Sequence, residues 1–403
     1  MKHLFYLGML ALTSLPACTD SPSNQANLLS DAPVVATRIL IDGEECIKLD
    51  PSLLEDTVVF PLSHFIEKPE IIKLDDKDEA LTGSPFAYVS EHHILTIQMD
   101  NTPYKLFDRQ GNFITNIGSI GQGPGEYNSI YSAVLDEHTR RVYLLPFFGN
   151  SVLVYDFQGN VCPPIPLVHE GIVGQIALRG DTLLVMGSPQ PKRFASSVWI
   201  QDLKGNLIKE IPTSRLDFDF RGVLVVSNQN RPNYADLSFW IPKAQQDSLY
   251  EVSIEKGQLI PRFTAHFQGD ALVPHMYGEF PGYFVGEATG QWMQTRKNDD
   301  GKIERRIVGE TPSYYIVDKK TLKGAYLVIE NDFLGGIRLP NPMAMEKGGY
   351  SPCFDPGDLR EMLEDALRSD RLTEEQRKYL SDILANIDEN DNNYILYGKM
   401  KQD

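Results

Sequence analysis

The sequence predicts an all-β fold: a six-bladed β-propeller of four-stranded antiparallel blades, with a C-terminal helical hairpin insertion. Three observations support this prediction. A strand-turn-strand motif recurs along the chain of 403 residues, further pairs of short apolar strands precede its copies, and apolar residues at helical spacing occur only late in the chain. The hydrophobic fraction of 42% is sufficient for a full core, so one closed ring accounts for the length.

The start of the chain has the pattern of a targeting signal. A basic beginning precedes an uncharged run from Leu4 to Leu15, which is too short to cross a bilayer as a helix. The next residues complete Leu15-Pro16-Ala17-Cys18, which resembles the bacterial lipobox. We therefore predict a lipoprotein signal peptide over 1–18, lipidation of Cys18 and a flexible tether over 19–35. The alternative is an ordinary secretory signal that is cleaved nearby.

The repeat is an apolar strand that ends in Asp, followed by a short turn with Gly-Asn and a second apolar strand. Its clearest copies are Lys105–Phe113, Leu153–Val161 and Val198–Leu207. Their glycines, Gly111, Gly159 and Gly205, lie 48 and 46 residues apart. Since Gly and Asn tolerate the positive φ of a tight turn, each copy predicts a hairpin between two antiparallel strands.

Looser copies at 249–259 and 314–322, with the strand pairs that precede the turns, give the spacing of propeller blades. We place five blades near 84–118, 130–168, 172–212, 218–263 and 280–323. The last blade is expected from 324–340 together with strands from the chain ends. Thr57–Leu62 and Asn393–Tyr397 are the apolar strands available to close the ring, which would remove the free sheet edges.

Two amphipathic segments predict the helical hairpin. Leu359, Leu363 and Leu367 follow helical spacing in the first segment, and Leu380, Ile383 and Ile387 follow it in the second. Asp355-Pro356 begins the first helix, and Thr373 to Gln376 has the pattern of a capping box. We expect a helical insertion at about 356–389 and a closing strand at about 393–400, within a propeller over 36–403.

One loop carries a family resemblance. Gly118 to Tyr127, read as Gly-Ser-Ile-Gly-Gln-Gly-Pro-Gly-Glu-Tyr, resembles the signature loop of a six-bladed β-propeller lipoprotein family of gut Gram-negative bacteria. That family is similar in architecture to NHL-repeat and TolB-like propellers. Asp391 to Leu396 also resembles its closing strand, and the resemblance extends from about Val58 to Lys401. It implies a propeller architecture and export, and it says little about chemistry.

Charge and cysteine content limit the partners. The formal net charge of -17 argues against a nucleic-acid partner, and it leaves the lipid anchor as the expected contact with a membrane. We expect the cell envelope, most simply the outer membrane, as the location.

Cys46 and Cys353 either form a disulfide, if the two chain ends meet, or remain unpaired thiols.

Known active-site templates are absent from the sequence, including H-E-x-x-H, G-x-S-x-G and a phosphate-binding loop. The ligand-binding candidates are Glu126 and Tyr127 in the glycine-rich loop, and His275 and Tyr277 in an irregular stretch over 263–284. The alternative for the first pair is a connection between blades, with Tyr127 packed inside and Glu126 accepting backbone hydrogen bonds. For the stretch, the alternative is a covering loop.

The sequence therefore predicts an exported binding or scaffolding module for a glycan, peptide or protein, rather than an enzyme. The alternative is a metal-dependent propeller hydrolase or lyase with its site in the central tunnel. No cofactor and no metal ligand can be assigned from the sequence, and a divalent metal such as calcium in the tunnel belongs to that alternative.

The anchor can be tested by replacing the predicted lipidated residue. Cys18→Ala is expected to release the protein from the membrane fraction into the soluble periplasm, because one or more acyl chains supply the anchoring free energy. Fractionation and immunoblotting measure the distribution. Unchanged retention of Cys18→Ala in the membrane fraction would contradict lipidation at this residue.

Overall fold

The computed structural model describes residues 28–83, 86–98, 102–189, 196–216, 223–231, 235–241, 247–266, 275–288, 292–297, 303–308 and 313–402. It confirms the predicted fold: six blades of antiparallel strands form a propeller, and two helices lie near the C-terminus. Within the described residues, neither helix is long and apolar enough to cross a membrane.

The first three blades each contain four consecutive antiparallel strands, in agreement with the repeat spacing. Blade 1 consists of Phe86–Val89, His93–Ile97, Tyr104–Asp108 and Phe113–Ile117. Blade 2 consists of Ile130–Asp136, Arg141–Pro146, Ser151–Asp156 and Val161–Pro166. Blade 3 consists of Gly174–Arg179, Thr182–Gly187, Val198–Asp202 and Leu207–Ile211. The glycine-rich loop connects blade 1 to blade 2. Within this loop, Ser119–Ile120 pairs in parallel with Glu126–Tyr127.

Blades 4 and 5 are widened by strands from the N-terminal part of the chain. Blade 4 consists of Leu224–Val226, Asp236–Trp240, Leu249–Ser253 and Gln258–Ala265, extended by Glu44–Leu49 and Ala36–Ile41. Blade 5 consists of His275–Phe280, Tyr283–Ala288, Ser313–Asp318 and Gly324–Asn331, extended by Thr57–Pro61 and Ile337–Arg338. A separate hairpin, Trp292–Lys297 with Ile303–Val308, is inserted between its second and third strands.

Blade 6 closes the ring. The strand Tyr394–Lys399 pairs with Gly349–Tyr350 and Cys353–Phe354 on one side and with Glu70–Lys73 on the other. Two predictions for this blade are wrong, because 324–340 and Thr57–Leu62 were expected to contribute strands to it. Gly324–Asn331 is an outer strand of blade 5, and Thr57–Pro61 pairs with it in parallel. A 3-10 turn, Asp332–Leu334, follows that outer strand and ends at two glycines with positive φ, so the chain leaves the sheet there.

The helical hairpin is inserted between the inner and closing strands of blade 6. Helix α1 spans Pro356–Leu367 and helix α2 spans Glu374–Leu384. The Asp355 side chain caps α1, and Thr373 with Gln376 forms the expected capping box of α2. Their apolar faces pack on blades 5 and 6 through Leu359, Leu363 and Leu380, among other residues. Short 3-10 turns elsewhere are Pro51–Leu53, Leu62–His64 and Asp78–Ala80.

The repeated turn has the same hydrogen bonds in each of the first three blades. In blade 1 the Asp108 carboxylate accepts hydrogen bonds from the backbone N–H groups of Gln110 and Asn112, both at 2.9 Å. Asp156 and Asp202 make the equivalent bonds in blades 2 and 3. The glycine that follows has a φ of 81° to 89° in all three turns. The aspartate thus satisfies the turn backbone, and glycine allows its left-handed conformation.

The same glycines bring neighbouring blades into contact. A Cβ atom on Gly111 would lie 2.0 Å from the carbonyl oxygen of Lys73, which belongs to the outer strand of blade 6. A Cβ atom on Gly159 would lie 2.6 Å from the carbonyl oxygen of Asn116, in the outer strand of blade 1. Each turn therefore packs directly on the backbone of the preceding blade.

The first described residues join the ring beside blade 5. The backbone N–H of Gly324 donates to the carbonyl of Pro33 at 3.1 Å, and the Lys323 ammonium donates to the carbonyl of Ser30. Leu29 is fully buried in the core between blade 5 and the helices. Cys46, Cys162 and Cys353 are free thiols, and burial raises the pKa of Cys46 and of Cys353 to about 12.

The contact between blades can be separated from the cost of positive φ. Gly111→Ala and Gly43→Ala place a methyl group at nearly equal φ, 88° and 86°, but nothing lies within 4 Å of the Cβ position at Gly43. We expect Gly43→Ala to cost about 1–2 kcal/mol and Gly111→Ala about 1–3 kcal/mol more, measured by urea unfolding. Equal losses of unfolding free energy in the two variants would contradict the tight packing of blade 1 on Lys73.

Candidate functional site

A cavity of about 340 Å³ opens at the mouth of the central channel, where the inner strands of the blades end. Its walls come from blades 1, 2, 3, 4 and 6. The polar and aromatic residues that line it are Tyr88, Ser90, Arg179, Gln229, Arg231, Glu346, Lys347, Ser351 and Tyr397. These residues are far apart in the sequence, and the ring brings them together.

A tight turn over 345–349, which we call the plug turn, lies among the inner strands. The backbone N–H of Lys347 donates to the carbonyl of Asn228 at 2.7 Å, and the Asn230 amide donates to the carbonyl of Met345 at 2.8 Å. On its other side, the backbone N–H of Met400 donates to the carbonyl of Gly348 at 2.8 Å. The turn is therefore held by blade 4 and by the closing strand.

Lys347 is the central side chain of the cavity. Its backbone has a φ of 50°, a left-handed conformation that is strained for a residue with a Cβ atom. Its ammonium donates to the carbonyl of Ala133 in blade 2 and lies 3.8 Å from the centre of the Tyr88 ring in blade 1. Because protein surrounds it on most sides, desolvation lowers the pKa of Lys347 to about 8, although the Glu346 carboxylate opposes this shift.

Glu346 points into the same cavity and remains accessible to solvent there. The surrounding protein raises the pKa of its carboxyl group by desolvation, and the charge of Lys347 acts in the opposite direction. Asp236, which is buried, raises this pKa further. A carboxyl group with a raised pKa can accept a hydrogen bond when ionised and donate one when protonated.

A second group of charges lies on the blade 4 and blade 5 side. The Glu279 carboxylate is only 2% exposed, and it accepts hydrogen bonds from Arg231 at 3.0 Å and from Lys319 at 2.7 Å. Two cations share this carboxylate, so the three groups together carry one positive charge. On the blade 3 side, Arg179 donates to the carbonyl of Leu178 at 2.8 Å, and burial lowers the pKa of its guanidinium.

Asp236 supports the cavity from behind. Its carboxylate accepts hydrogen bonds from the backbone N–H groups of Asn228 at 3.0 Å and Gln229 at 2.8 Å, and from the Ser227 hydroxyl at 3.2 Å. Burial raises the pKa of Asp236. These bonds fix the segment that carries Gln229 and that also holds the plug turn.

Glu126 and Tyr127 lie in the connection between blades 1 and 2. The Glu126 carboxylate accepts a hydrogen bond from the backbone N–H of Gly123 at 2.8 Å. The Tyr127 hydroxyl donates to the carbonyl of Ile117 at 2.7 Å and accepts from the backbone N–H of Tyr104 at 2.8 Å. These contacts match the alternative of a packed connection, and neither residue lines the cavity. Their role in ligand binding stays a prediction.

His275 and Tyr277 lie on the inner strand of blade 5, and both are buried. The His275 ring nitrogen Nε2 lies 2.6 Å from the Asp247 carboxylate, and the Tyr277 hydroxyl also bonds to this carboxylate. Burial raises the pKa of Asp247. Neither candidate lines the cavity, and their ligand role also stays a prediction. Cys18 and residues 267–274 of the irregular stretch lie outside the described residues.

No pattern in the sequence points directly to Lys347, Arg179 or Arg231. The only local signal is Glu346-Lys347-Gly348-Gly349, two charged residues and two glycines between apolar neighbours. Among the residues that the structure describes, no group of three or more His, Cys, Asp or Glu side chains is arranged to hold a metal ion. The metal-dependent alternative therefore stays a prediction.

Comparison with known families gives a match along most of the chain. The model of a family described as a domain of unknown function, DUF4934, matches residues 44–399. The chain belongs to this family. No curated protein matches the DUF4934 chain.

Comparison with solved structures gives one match with a TM-score above 0.5 among the two described here. A candidate exported protein from Bacteroides fragilis NCTC 9343 is 15% identical, with a TM-score of 0.52, and the match covers 86% of this chain and 100% of that one. A member of the DUF4221 family from Bacteroides vulgatus ATCC 8482 is 8% identical, with a TM-score of 0.43, and the match covers 83% of this chain and 97% of that one. At these identities the similarity concerns the fold alone.

The effect of the Lys347 charge on the free energy of unfolding can be measured with Lys347→Met. This variant nearly keeps the length of the side chain and removes the ammonium. Because the pKa of Lys347 falls from 10.5 to about 8 on folding, the charged amine destabilises the native state below pH 8. We expect Lys347→Met to unfold with a free energy about 1–2 kcal/mol higher at pH 7, allowing for screening by water in the cavity.

This difference should shrink between pH 8 and pH 10.5, because the wild-type protein gains stability as the native amine loses its proton before the unfolded one does. Urea unfolding at pH 7 and pH 10 measures both effects. Lys320→Met, at an exposed position, is the control and should change little. A Lys347→Met protein that is less stable than wild type at pH 7 would argue against a destabilising charge.

Proposed function

We propose that this DUF4934 protein is an exported, lipid-anchored binding module that takes its ligand into the cavity at the mouth of the central channel. The observation that carries this proposal is the cavity of about 340 Å³, with charged side chains from several blades directed into it. Concave sites with a few convergent polar groups are typical of ligand binding. Among the ligand classes expected from the sequence, a glycan or a short peptide fits this size.

The strain at Lys347 supports the same proposal. A lysine with a φ of 50° and a lowered pKa is unfavourable for stability, and an apolar residue or glycine would relieve one or both costs. Strained and desolvated residues cluster at functional sites, where binding or catalysis requires them. We therefore assign the plug turn to ligand recognition rather than to stability.

Export and anchoring rest on the signal sequence and on Cys18. The similarity in fold to the candidate exported protein of B. fragilis is compatible with this location. The proposed place is the cell envelope, with the lipid on the outer membrane and the ring outside the bilayer. The metal-dependent hydrolase or lyase remains the alternative from the sequence.

The proposal is tested by filling the cavity. Ser351 lines it, and Ser351→Trp should occupy much of its volume. Ligands from a panel of neutral and acidic oligosaccharides and short peptides that raise the melting temperature of the full-length protein in detergent should lose this effect in Ser351→Trp. Ser381→Trp, on the exposed face of α2, is the matched control. Equal stabilisation of wild type and Ser351→Trp would place the ligand elsewhere.

A further inference from the structure

The charges that line the cavity are opposite in sign to the charge of the whole chain. Among the lining residues that the structure describes, Arg179, Arg231 and Lys347 are cationic and Glu346 is a carboxylate. Behind them, Glu279 is shared by Arg231 and Lys319, and Asp236 is buried, so the balance of charge at the cavity stays positive. The full chain has a formal net charge of -17. A positively charged recess on an acidic protein attracts small anions, while the surrounding surface repels large polyanions.

Lys347 provides the positive charge that we expect an anionic ligand to contact. Its described partners, the carbonyl of Ala133 and the ring of Tyr88, are both uncharged, and within the described residues it forms no ion pair. The neighbouring Glu346 carboxylate attracts this positive charge without forming a salt bridge to it, which leaves the ammonium open to a second anionic partner. A desolvated ammonium of this kind binds a carboxylate more strongly than an exposed lysine does.

A polar group beside Lys347 also points to a ligand with hydrogen-bonding groups. The side-chain amide nitrogen Nε2 of Gln229 is buried and has no hydrogen-bond partner in the part of the chain that the structure describes. Gln229 lines the cavity, and its backbone is held in a left-handed conformation with a φ of 51°. Buried amide donors normally find an acceptor, and a rotation of the Gln229 side chain into the cavity would let an oxygen atom of the ligand complete this site.

The number of charges on the ligand is limited by Glu346. Its carboxylate lies beside Lys347, where it would repel the second negative charge of a phosphate monoester more than the single charge of a carboxylate. Its raised pKa allows it to bond to a hydroxyl group either as a donor or as an acceptor. The cavity of about 340 Å³ is near the lower end of the usual range for small-molecule sites, roughly 300–1,000 Å³.

We propose that the cavity binds a carboxylated sugar of monosaccharide or disaccharide size, with the sugar carboxylate on Lys347 and its hydroxyl groups on Glu346 and Gln229. Arg179 and Arg231 add long-range attraction from two other walls. This inference rests on the proposed function, because it names the ligand class of the same cavity.

The test compares matched sugars on the full-length protein in detergent by isothermal titration calorimetry. The probes are the uronates of glucose, galactose and mannose, the three corresponding neutral sugars, and glucose 6-phosphate. We expect one of the uronates to bind about tenfold or more tightly than its neutral counterpart. Lys347→Met should remove about tenfold or more of that affinity, Arg179→Gln should remove less, and Lys320→Met should remove none.

The outcomes separate the ligand class from the proposed function. The carboxylated sugar is overturned if a neutral sugar or glucose 6-phosphate binds as tightly as every uronate, or if Lys347→Met binds the uronate like wild type. It is also overturned if none of the uronates binds. In each case the proposed function survives provided that another ligand of the panel binds wild type but not Ser351→Trp. Binding that persists unchanged in Ser351→Trp overturns both.

Discussion

The strand Tyr394–Lys399 pairs with Glu70–Lys73 on one side and with the inner strands of blade 6 on the other, which joins a C-terminal strand and an N-terminal strand in one sheet. This pairing removes the free edges that an open ring would expose. It also fixes the candidate site, because the plug turn precedes blade 6 directly and is bonded to Met400 just after the closing strand. The cavity therefore depends on a contact between residues more than 300 positions apart.

Much of the fold was accessible from sequence because it depends on local chemistry that repeats. Asp108, Asp156 and Asp202 each satisfy the backbone of their own turn, so the turn can be recognised without knowing its neighbours. The caps of α1 and α2 are local in the same sense. The composition of the last blade was less accessible, since Thr57–Pro61 and Glu70–Lys73 are both short apolar strands and only tertiary pairing decides which of them meets the closing strand.

The candidate site was not accessible in this way. Arg179 ends an inner strand, Arg231 follows another and Lys347 lies in a turn, so no spacing in the sequence connects them. Of the residues that the sequence suggested, Glu126 and Tyr127 lie in the glycine-rich loop, whereas His275 and Tyr277 lie on a regular strand where an irregular stretch was expected. In the structure their polar atoms bond to the protein itself. Polar side chains near glycine are thus as often required by a packed connection as by a ligand.

A short stretch of chain links the predicted lipid at Cys18 to the ring. Pro33 bonds to Gly324 at the end of the blade 5 turn, and Lys319 of that turn reaches Glu279, which in turn contacts Arg231 of the cavity. The tether thus meets the ring on the face where the cavity opens. Leu28 lies ten positions after Cys18 in the sequence, a span of at most about 35 Å for a fully extended chain. A lipid on Cys18 would therefore hold this part of the ring within about 35 Å of the bilayer, so ligands would be captured close to the membrane surface.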